Sequence, residues 1–260
     1  MERLKIVSLV VVTISLGLLL VSCGGGGGGE GEEIKSGTAA IEPIETRGTL
    51  DTLSNDASMR HQPHYQQLEI LPTSYIQVDN NGIPVKQPIK GSITGVYSSY
   101  DGQAPQEYNG YDIFKYEVSY HIINIKTNLS ADISNYSLMT ELDGGEYRLG
   151  NSDSQDPTKV IWEDKPVHAG FKTYEIGATY DYASSSQQGR FTVLTREYIT
   201  VGNIRYPAWK VCETSQEGTI SGEEYRWINP EYGTLKVQLT MSDSSDNSVM
   251  FLEAVLQESY

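Results

Sequence analysis

The sequence predicts an all-β protein, and three features of its 260 residues lead to this prediction. Apolar and polar residues alternate over many segments, which is the period of a half-buried strand. Gly and Tyr occupy 25 and 18 positions, as expected of a protein rich in turns and strands. After the N-terminal region, no segment repeats apolar residues at helical spacing. We therefore expect an antiparallel β-barrel, half-barrel or β-sandwich of about ten strands.

The alternation is clearest in two segments, one near the middle of the chain and one near its end. The apolar residues that share one parity are Phe114, Tyr116, Val118, Tyr120 and Ile122 in the first, and Leu235, Val237, Leu239 and Met241 in the second. Turn residues separate such segments. Strands, some of which are expected to merge or fail, are placed near residues 67–78, 89–99, 111–125, 132–141, 145–149, 158–163, 171–183, 190–201, 204–213, 219–228, 234–241 and 248–257.

The charge of the chain is acidic, with 34 Asp and Glu against 19 Lys and Arg and a net charge of −15. The basic residues form no run, so nothing indicates a surface that follows a phosphate backbone by releasing counterions. Nucleic acid is therefore excluded as the main partner.

The N-terminal residues have the composition of an export signal. Arg3 and Lys5 form a short basic head, and an uncharged, mostly apolar run of 16 residues follows over 6–21. Secretory signals have this pattern, and the run is shorter than the roughly 20 residues that a permanent transmembrane helix needs. We expect the segment to be removed after export.

The run ends in Leu20-Val21-Ser22-Cys23, which resembles the lipobox of bacterial lipoproteins. The resemblance implies that the Cys23 thiol receives a diacylglyceryl group, that a dedicated peptidase cuts just before it, and that the new amino terminus is usually acylated. Leu20, Val21 and Ser22 then occupy the three recognition positions before the cut. The membrane becomes a partner through these lipid chains. The alternatives are an ordinary signal peptide with a chance cysteine and an uncleaved anchor.

Six glycines, Gly24–Gly29, follow Cys23. Ordering glycine costs more conformational entropy than ordering any other residue, so we expect a flexible tether. The predicted organisation is a signal peptide over 1–22, a lipidated cysteine and tether over 23–60, and one β-rich domain over 61–260.

The lipoprotein resemblance also bears on the address in the cell envelope. In Gram-negative bacteria, an Asp directly after the lipidated cysteine retains a lipoprotein at the inner membrane. Residue 24 is Gly instead, so the outer membrane or the cell surface is favoured. In a Gram-positive bacterium, the same signal implies the outer leaflet of the single membrane.

No motif for catalysis or cofactor binding is present in the sequence. It contains no GxSxG elbow, no HExxH and no paired CxxC. Cys212 has no disulfide partner once Cys23 carries lipid, and a lone cysteine in a strand is more often a small buried residue than a nucleophile. We therefore expect a protein that is not an enzyme and that uses no cofactor.

Metal sites have little support in the sequence. His61 and His64 are the only closely spaced histidines, and a structural zinc site needs four ligands. Two acidic loops, 151–156 and 243–247, offer oxygen ligands but lack the glycine and the bidentate glutamate of an EF-hand. Solvated polar segments are favoured over zinc or calcium sites at these places.

Paired carboxylates keep one enzymatic alternative open, because a glycosidase needs only two acids that face each other across a cleft. The adjacent pairs Glu163-Asp164 and Glu223-Glu224 are expected to point to opposite faces of their strands. No spacing favours a particular pair, and solvent-facing charge that keeps the protein soluble is the preferred interpretation.

Aromatic residues near the predicted strand ends are the most suggestive feature of the body. Such rings can stack on sugars or anchor a protein partner, although packing on a half-buried sheet is the favoured interpretation. The residues are Tyr97, Tyr100, Tyr108, Tyr111, Tyr174, Tyr180, Tyr182, Tyr225 and Trp227.

A second, weaker resemblance concerns the C-terminal third. Residues 225–236 are similar to an aromatic-x-x-Pro-x-x-Gly-x-(Val/Leu)-Lys hairpin of secreted bacterial β domains of unknown function. The Pro-Ala-Gly turn that often precedes this hairpin is absent. The resemblance implies a tight turn between two strands and no particular activity. The matching residues are Trp227, Pro230, Gly233, Leu235 and Lys236.

Together, these observations favour a lipid-anchored, non-catalytic β domain of the bacterial cell envelope that binds or scaffolds an envelope protein or a glycan. Two other functions stay open. One is an envelope carbohydrate hydrolase that uses paired carboxylates in a cleft. The other is a carrier that holds an apolar ligand in a half-open barrel, which requires a lined cavity.

Overall fold

The computed structural model describes residues 44–57, 64–80, 83–143, 145–152, 158–183 and 187–259. Apart from one 3₁₀ turn at Gln106–Tyr108, their regular structure is all β, as predicted. None of the described residues belongs to a helix that is long and apolar enough to cross a membrane. The strands are β1 (Glu45–Thr46), β2 (Tyr65–Ile70), β3 (Tyr75–Asn80), β4 (Ile83–Ser99), β5 (Phe114–Asn124), β6 (Ser130–Leu142), β7 (Gly145–Ser152), β8 (Val160–Gly170), β9 (Thr179–Ala183), β10 (Gln188–Val201), β11 (Ile204–Glu217), β12 (Ile220–Asn229), β13 (Gly233–Asp243) and β14 (Ser248–Ser259).

All fourteen strands belong to one sheet, whose order is β8-β7-β6-β5-β4-β2-β14-β13-β12-β11-β10-β9. β3 continues β2 between β14 and β4, and β1 lies against β11. Every pairing is antiparallel except that of β1 with β11. Most neighbours in the sheet are also neighbours in the sequence, so short turns create most of the pairings.

The sheet curls around its own core. Tyr116 of β5 and Arg226 of β12 interact electrostatically, although four strands separate β5 from β12 in the sheet order. No strand pairing joins the terminal strands β8 and β9 in the part of the chain that the structure describes. Instead, the rings of His168 and Tyr180 meet there with centroids 4.1 Å apart. Of the predicted alternatives, this arrangement corresponds to the half-barrel.

The predicted alternation is present in β5 and β13. The side chains of Tyr116, Val118, Tyr120 and Ile122 are buried, while the residues between them are at least partly accessible. In β13, Val237, Leu239 and Met241 are buried in the same main core. A strand with one face on a core buries every second residue, which is why this pattern predicts the strands correctly.

Two predicted strands are divided differently in the structure. The segment 67–78 is interrupted by a turn with Pro72 in its second position, in which the Ser74 N–H donates to the Leu71 carbonyl oxygen at 3.0 Å. The segment 171–183 contains a turn over residues 175–178, in which the Ala178 N–H donates to the Glu175 carbonyl oxygen at 2.9 Å. Gly177 has a φ of 87° in this turn, so only its last residues form β9.

Residues 44–57, called here the N-terminal strap, are part of the folded body. β1 pairs with Ile204 and Arg205 of β11, and the Trp209 Nε1–H donates to the Ser54 carbonyl oxygen at 2.8 Å. Ala57 is fully buried in the main core. The strap lies within the segment 23–60 that the sequence assigns to the tether, and the division into signal peptide, tether and body stays a prediction. β12 pairs with β11 only from Trp209 onward. β1 pairs with the earlier part of β11, at Ile204 and Arg205, which β12 leaves unpaired.

Gly91 of β4 has no room for a side chain. Its φ is +144°, and a Cβ would lie 1.7 Å from the His121 carbonyl oxygen of the paired strand. We expect Gly91→Ala to lower the free energy of unfolding by more than about 3 kcal/mol, because backbone strain and a clash add together. Urea unfolding followed by tryptophan fluorescence measures this change.

Gly110→Ala is the matched control for the clash. Gly110 also has a positive φ of +92°, but a Cβ there would meet no atom within 4 Å. We expect Gly110→Ala to lower the free energy of unfolding only by the cost of backbone strain, about 1–2 kcal/mol. Equal losses in the two variants would show that the close approach at Gly91 has no energetic weight.

Candidate functional site

The predicted lipidation site lies outside the described residues. This applies to Leu20, Val21, Ser22 and Cys23, and also to His61 of the histidine pair and to residues 153–156 of the first acidic loop. In the second acidic loop, Asp243 and Asp246 accept the backbone N–H groups of Ser245 and Ser248 at 2.8 and 3.0 Å. These carboxylates stabilise the turn. Among the described residues, no group of three or more His, Cys, Asp or Glu could hold a metal ion.

Most of the predicted aromatic residues are packing residues. Tyr108, Tyr174, Tyr182 and Trp227 are buried. Two half-buried tyrosines also stack on core rings, Tyr97 on Tyr116 at 4.2 Å and Tyr180 on Phe191 at 4.7 Å between centroids. These positions agree with the packing interpretation rather than with stacking on a sugar.

One group of aromatic residues lies partly at the surface, and we call Tyr100, Tyr108, Tyr111 and Trp162 the aromatic patch. Tyr108 is its buried member and packs against Tyr111 and Trp162. Trp162 of β8 lies 6.1 Å from the ring of Tyr100 and 5.7 Å from that of Tyr108. The Tyr108 hydroxyl donates to the Glu163 carbonyl oxygen at 2.7 Å, which attaches the loop between β4 and β5 to β8. Trp162 was not among the aromatic residues predicted for a site.

Three charged residues form a buried cluster inside the sheet, and we call Glu213, Glu224 and Arg226 the charge cluster. Glu213 of β11 lies directly opposite Glu224 of β12, and Arg226 is two residues further along β12 on the same face. Arg226 Nη2 donates to Glu213 Oε2 at 3.1 Å, and its Nε lies 3.9 Å from Glu224 Oε2. Their exposed fractions are only 2 %, 5 % and 1 %.

Burial governs the protonation of this cluster. It raises the pKa of Glu213 to about 8, and the charge of Glu224 adds to the effect while Arg226 opposes it. Burial also raises the pKa of Glu224, again against the pull of Arg226. Two carboxyl groups share one guanidinium, so at neutral pH Glu213 holds its proton.

A second buried arginine extends the polar interior toward β8. Arg148 of β7 is buried, and its Nη2 lies 3.0 Å from Glu163 Oε1. Its Nη1 donates to Gln187 Oε1 at 3.5 Å. The sequence analysis predicts neither the charge cluster nor the group around Arg148. Glu213 and Arg226 nevertheless have the same parity as the apolar residues Val211 and Ile228. A charged residue at an inward position was the available signal.

The charge cluster has no space for a substrate. The cavity beside Arg226 has a volume of about 10 Å³ and is lined by Tyr180, Phe191 and other core residues. Arg226 Nε and Nη1 and the Tyr180 hydroxyl have no hydrogen-bond partner among the described residues. A cavity of this size holds one water molecule at most. Glu213 and Glu224 therefore do not face each other across a cleft, as a glycosidase requires.

The adjacent acidic pairs behave as the alternation predicts. Glu224 is buried, whereas Glu223 is exposed and accepts a hydrogen bond from the Tyr225 hydroxyl at 2.9 Å. Glu163 pairs with Arg148, whereas Asp164 is exposed. Neither pair places two carboxylates in one site.

Cys212 is half-buried and carries no disulfide. Burial raises the pKa of its thiol, and the charge of Glu223 acts in the same direction. A thiol that remains protonated at neutral pH is a poor nucleophile. The geometry therefore agrees with the structural role that the sequence predicts for Cys212.

An open depression of about 590 Å³ lies where β9, β10 and β11 end together, and we call it the polar groove. Asp181 and Arg190 pair across β9 and β10 through two hydrogen bonds of 2.7 and 3.1 Å. Gln188 lies opposite Gln216 on the neighbouring strand. The groove has the volume of a small-molecule binding site.

Tyr182 connects the polar groove with the charge cluster. Its ring lies over Gly189, where a Cβ would be 2.5 Å from the Tyr182 hydroxyl oxygen. Because Gly189 has no side chain, the Tyr182 hydroxyl reaches Glu213 Oε1 and donates to it at 2.8 Å. The strands beneath the groove are therefore anchored from the inner face of the sheet by a hydrogen bond to a buried carboxyl group.

The comparisons with known proteins give structural neighbours only. No protein-family model matches the chain, and no curated protein matches it. A solved structure of a Bacteroides fragilis protein labelled as exported, with a YmcC-like fold, is 10 % identical over 80 % of this chain and 98 % of its own, with a TM-score of 0.33. A protein of Parabacteroides distasonis labelled as a lipoprotein is 13 % identical over 75 % of this chain and 95 % of its own, with a TM-score of 0.25. At these TM-scores, neither similarity carries an argument about this chain.

Proposed function

We propose that this protein is a lipid-anchored lipoprotein of the bacterial cell envelope, at the outer membrane or cell surface, whose β body binds another envelope component without catalysis. The observation that carries the proposal is the sequence Leu20-Val21-Ser22-Cys23 at the end of an uncharged run. One acyl chain gives only marginal membrane binding, whereas the two or three chains of a lipoprotein give stable attachment.

The position of the N-terminal strap is consistent with a body whose polar groove lies at a distance from the membrane. Residues 24–43 separate Cys23 from the strap, and these 20 residues span at most about 70 Å when fully extended. The strap pairs with β11 at Ile204, whereas the polar groove includes Thr214 to Gln216 of the same strand. At about 3.3 Å per residue, the two places are roughly 30 Å apart.

The geometry of the acids supports binding over hydrolysis. Glu213 and Glu224, whose pKa values are raised by burial, are enclosed in the charge cluster, where Arg226 pairs with them. The polar groove is open to a ligand, and its one described carboxylate, Asp181, is occupied by Arg190. An open site without a free acid is typical of a binding module.

Lipidation is tested by replacing Cys23 with Ala in cells that are fed labelled palmitate. We expect the wild-type protein to carry label and to fractionate with membranes. Cys23→Ala should lose both properties and keep its leader, because the acceptor thiol and the cleavage signal are lost together.

Cys212→Ala is the matched control, because it removes the other cysteine of the chain. It should retain full labelling. Label that persists in Cys23→Ala, or wild-type protein without any label, would contradict the proposed anchor.

A further inference from the structure

We infer that the polar groove binds a neutral saccharide, an inference that rests on the proposed binding function and names its ligand class. The outward-facing side chains of the groove include Gln188, Gln216 and Thr214. Amide and hydroxyl groups both donate and accept hydrogen bonds. Sugar hydroxyls do the same, so this set matches a saccharide better than it matches an apolar or purely anionic ligand.

The charges of the groove cancel within it. Asp181 and Arg190 are the charged residues among the described residues that line it, and each satisfies the other through two hydrogen bonds. Neither needs a counterion from a ligand. The whole chain has a net charge of −15, which repels polyanions at long range. Both observations favour an uncharged glycan over an acidic one.

The strands beneath the groove are fixed before a ligand arrives, because Tyr182 alternates with the outward side chains and anchors β9 from the inner face of the sheet. Tyr182 is only 4 % exposed, its hydroxyl is bound to Glu213, and its ring lies 5.5 Å from that of Phe191. Strands anchored in this way present their outward side chains at fixed positions, so little backbone order has to be gained when a ligand binds. Gly189 keeps the backbone of β10 open beside the ring.

The position of the groove also leaves it accessible. β9 is the last strand of the sheet, so the groove is bounded by a strand that no other described strand pairs on its outer side. The opposite end of β11 carries the N-terminal strap, through which the chain continues toward Cys23. A glycan approaching from the side away from the lipid anchor reaches the groove first.

The inference is tested by titrating the full chain with neutral oligosaccharides: cellohexaose, maltohexaose, chitohexaose and mannohexaose. The protein is purified from membranes in lauryldimethylamine oxide, because a glycoside detergent would compete for the groove. We expect the wild type to bind at least one of them by calorimetry. The double variant Gln188→Ala/Gln216→Ala should bind it at least tenfold more weakly, with an unchanged unfolding midpoint.

Gln103→Ala/Gln106→Ala is the matched control. Both glutamines are exposed and lie on the loop that carries part of the aromatic patch. Unchanged affinity in this variant supports the groove. A loss of affinity in the control alone, or equal affinity in the groove variant, would overturn the assignment of the groove.

Two further outcomes separate the ligand class from the proposed function. If none of the oligosaccharides binds but a purified envelope protein retains the chain, the saccharide inference fails and the binding function stands. If neither envelope polysaccharide nor envelope protein retains it, both fail. Binding of acidic hexamers of galacturonic acid in preference to all the neutral ones would contradict the argument from charge.

Discussion

Replacing Arg226 with Met should lower the free energy of unfolding near neutral pH by about 3–5 kcal/mol, because it leaves the buried Glu224 carboxylate without its counterion and the Glu213 carboxyl group without a hydrogen-bond donor. Glu213 and Glu224 lie directly opposite each other and are almost fully buried. Methionine fills a similar volume, so the loss reports charge rather than a cavity. Urea unfolding followed by tryptophan fluorescence measures it.

Arg190→Met is the matched control for this prediction. Arg190 also forms an ion pair with an Asp, but 60 % of its side chain and 67 % of that of Asp181 are exposed. Exposed ion pairs contribute little to stability, so this variant should be nearly as stable as the wild type. Similar losses in both arginine variants would contradict the importance of burial.

A compensated variant separates charge from shape. Arg226→Met combined with Glu213→Gln and Glu224→Gln removes all three ionisable groups and retains an acceptor for the Tyr182 hydroxyl. We expect it to recover most of the stability lost in Arg226→Met, because no uncompensated buried charge remains. A triple variant as unstable as the single one would show that the guanidinium contributes mainly through packing.

Stability should fall as the pH rises from about 5 to about 9, by an amount of the order of 3–5 kcal/mol for the charge cluster. Burial raises the pKa of Glu213 to about 8, above its ordinary value near 4.5. Between these two values the folded protein binds more protons than the unfolded chain. The stabilisation is therefore complete below the unfolded pKa and is lost as the pH rises through the folded pKa. Glu224, whose pKa burial also raises, acts in the same direction.

The measurement is the free energy of urea unfolding at several pH values between these limits. Glu213→Gln should show a flatter pH dependence than the wild type, because its amide does not titrate. Glu175→Gln is the control of equal net charge, since Glu175 is exposed on the turn before β9. A wild-type stability that rises toward alkaline pH, or identical slopes for all three proteins, would contradict the raised pKa.

Strand positions were predictable because one physical constraint acts at every residue of a strand. In β5 and β13, every second side chain faces the core, so the alternation is local and visible in sequence. The turn at Pro72 is local too. Because it interrupts a run of strand-forming residues, the sequence pattern predicts one continuous strand over 67–78 there. The N-terminal strap shows no apolar period. Its attachment depends on the burial of Ala57 in the main core and on backbone hydrogen bonds to distant parts of the chain, which leave no pattern in the sequence.

The charge cluster and the polar groove were not predictable from spacing. Glu213 and Arg226 are 13 residues apart, and they meet only because the turn between β11 and β12 sets the register of the two strands. The polar groove likewise depends on tertiary structure, because it forms only where the end of β9, the start of β10 and the end of β11 lie side by side. Tyr182 was predicted as a candidate aromatic residue, but its bond to Glu213 depends on the missing side chain of Gly189 on another strand.

The N-terminal strap determines how a mechanical load on the N-terminal segment enters the body. The N–H groups of Glu45 and Arg47 donate to the carbonyl oxygens of Asn203 and Arg205, and β1 runs parallel to β11. A pull on residue 44 is therefore directed along the axis of β11, so that these bonds share the force in shear instead of opening one after another. Under such tension, the body turns until β11 follows the line of the pull, with its Thr214–Gln216 end farthest from the point of traction.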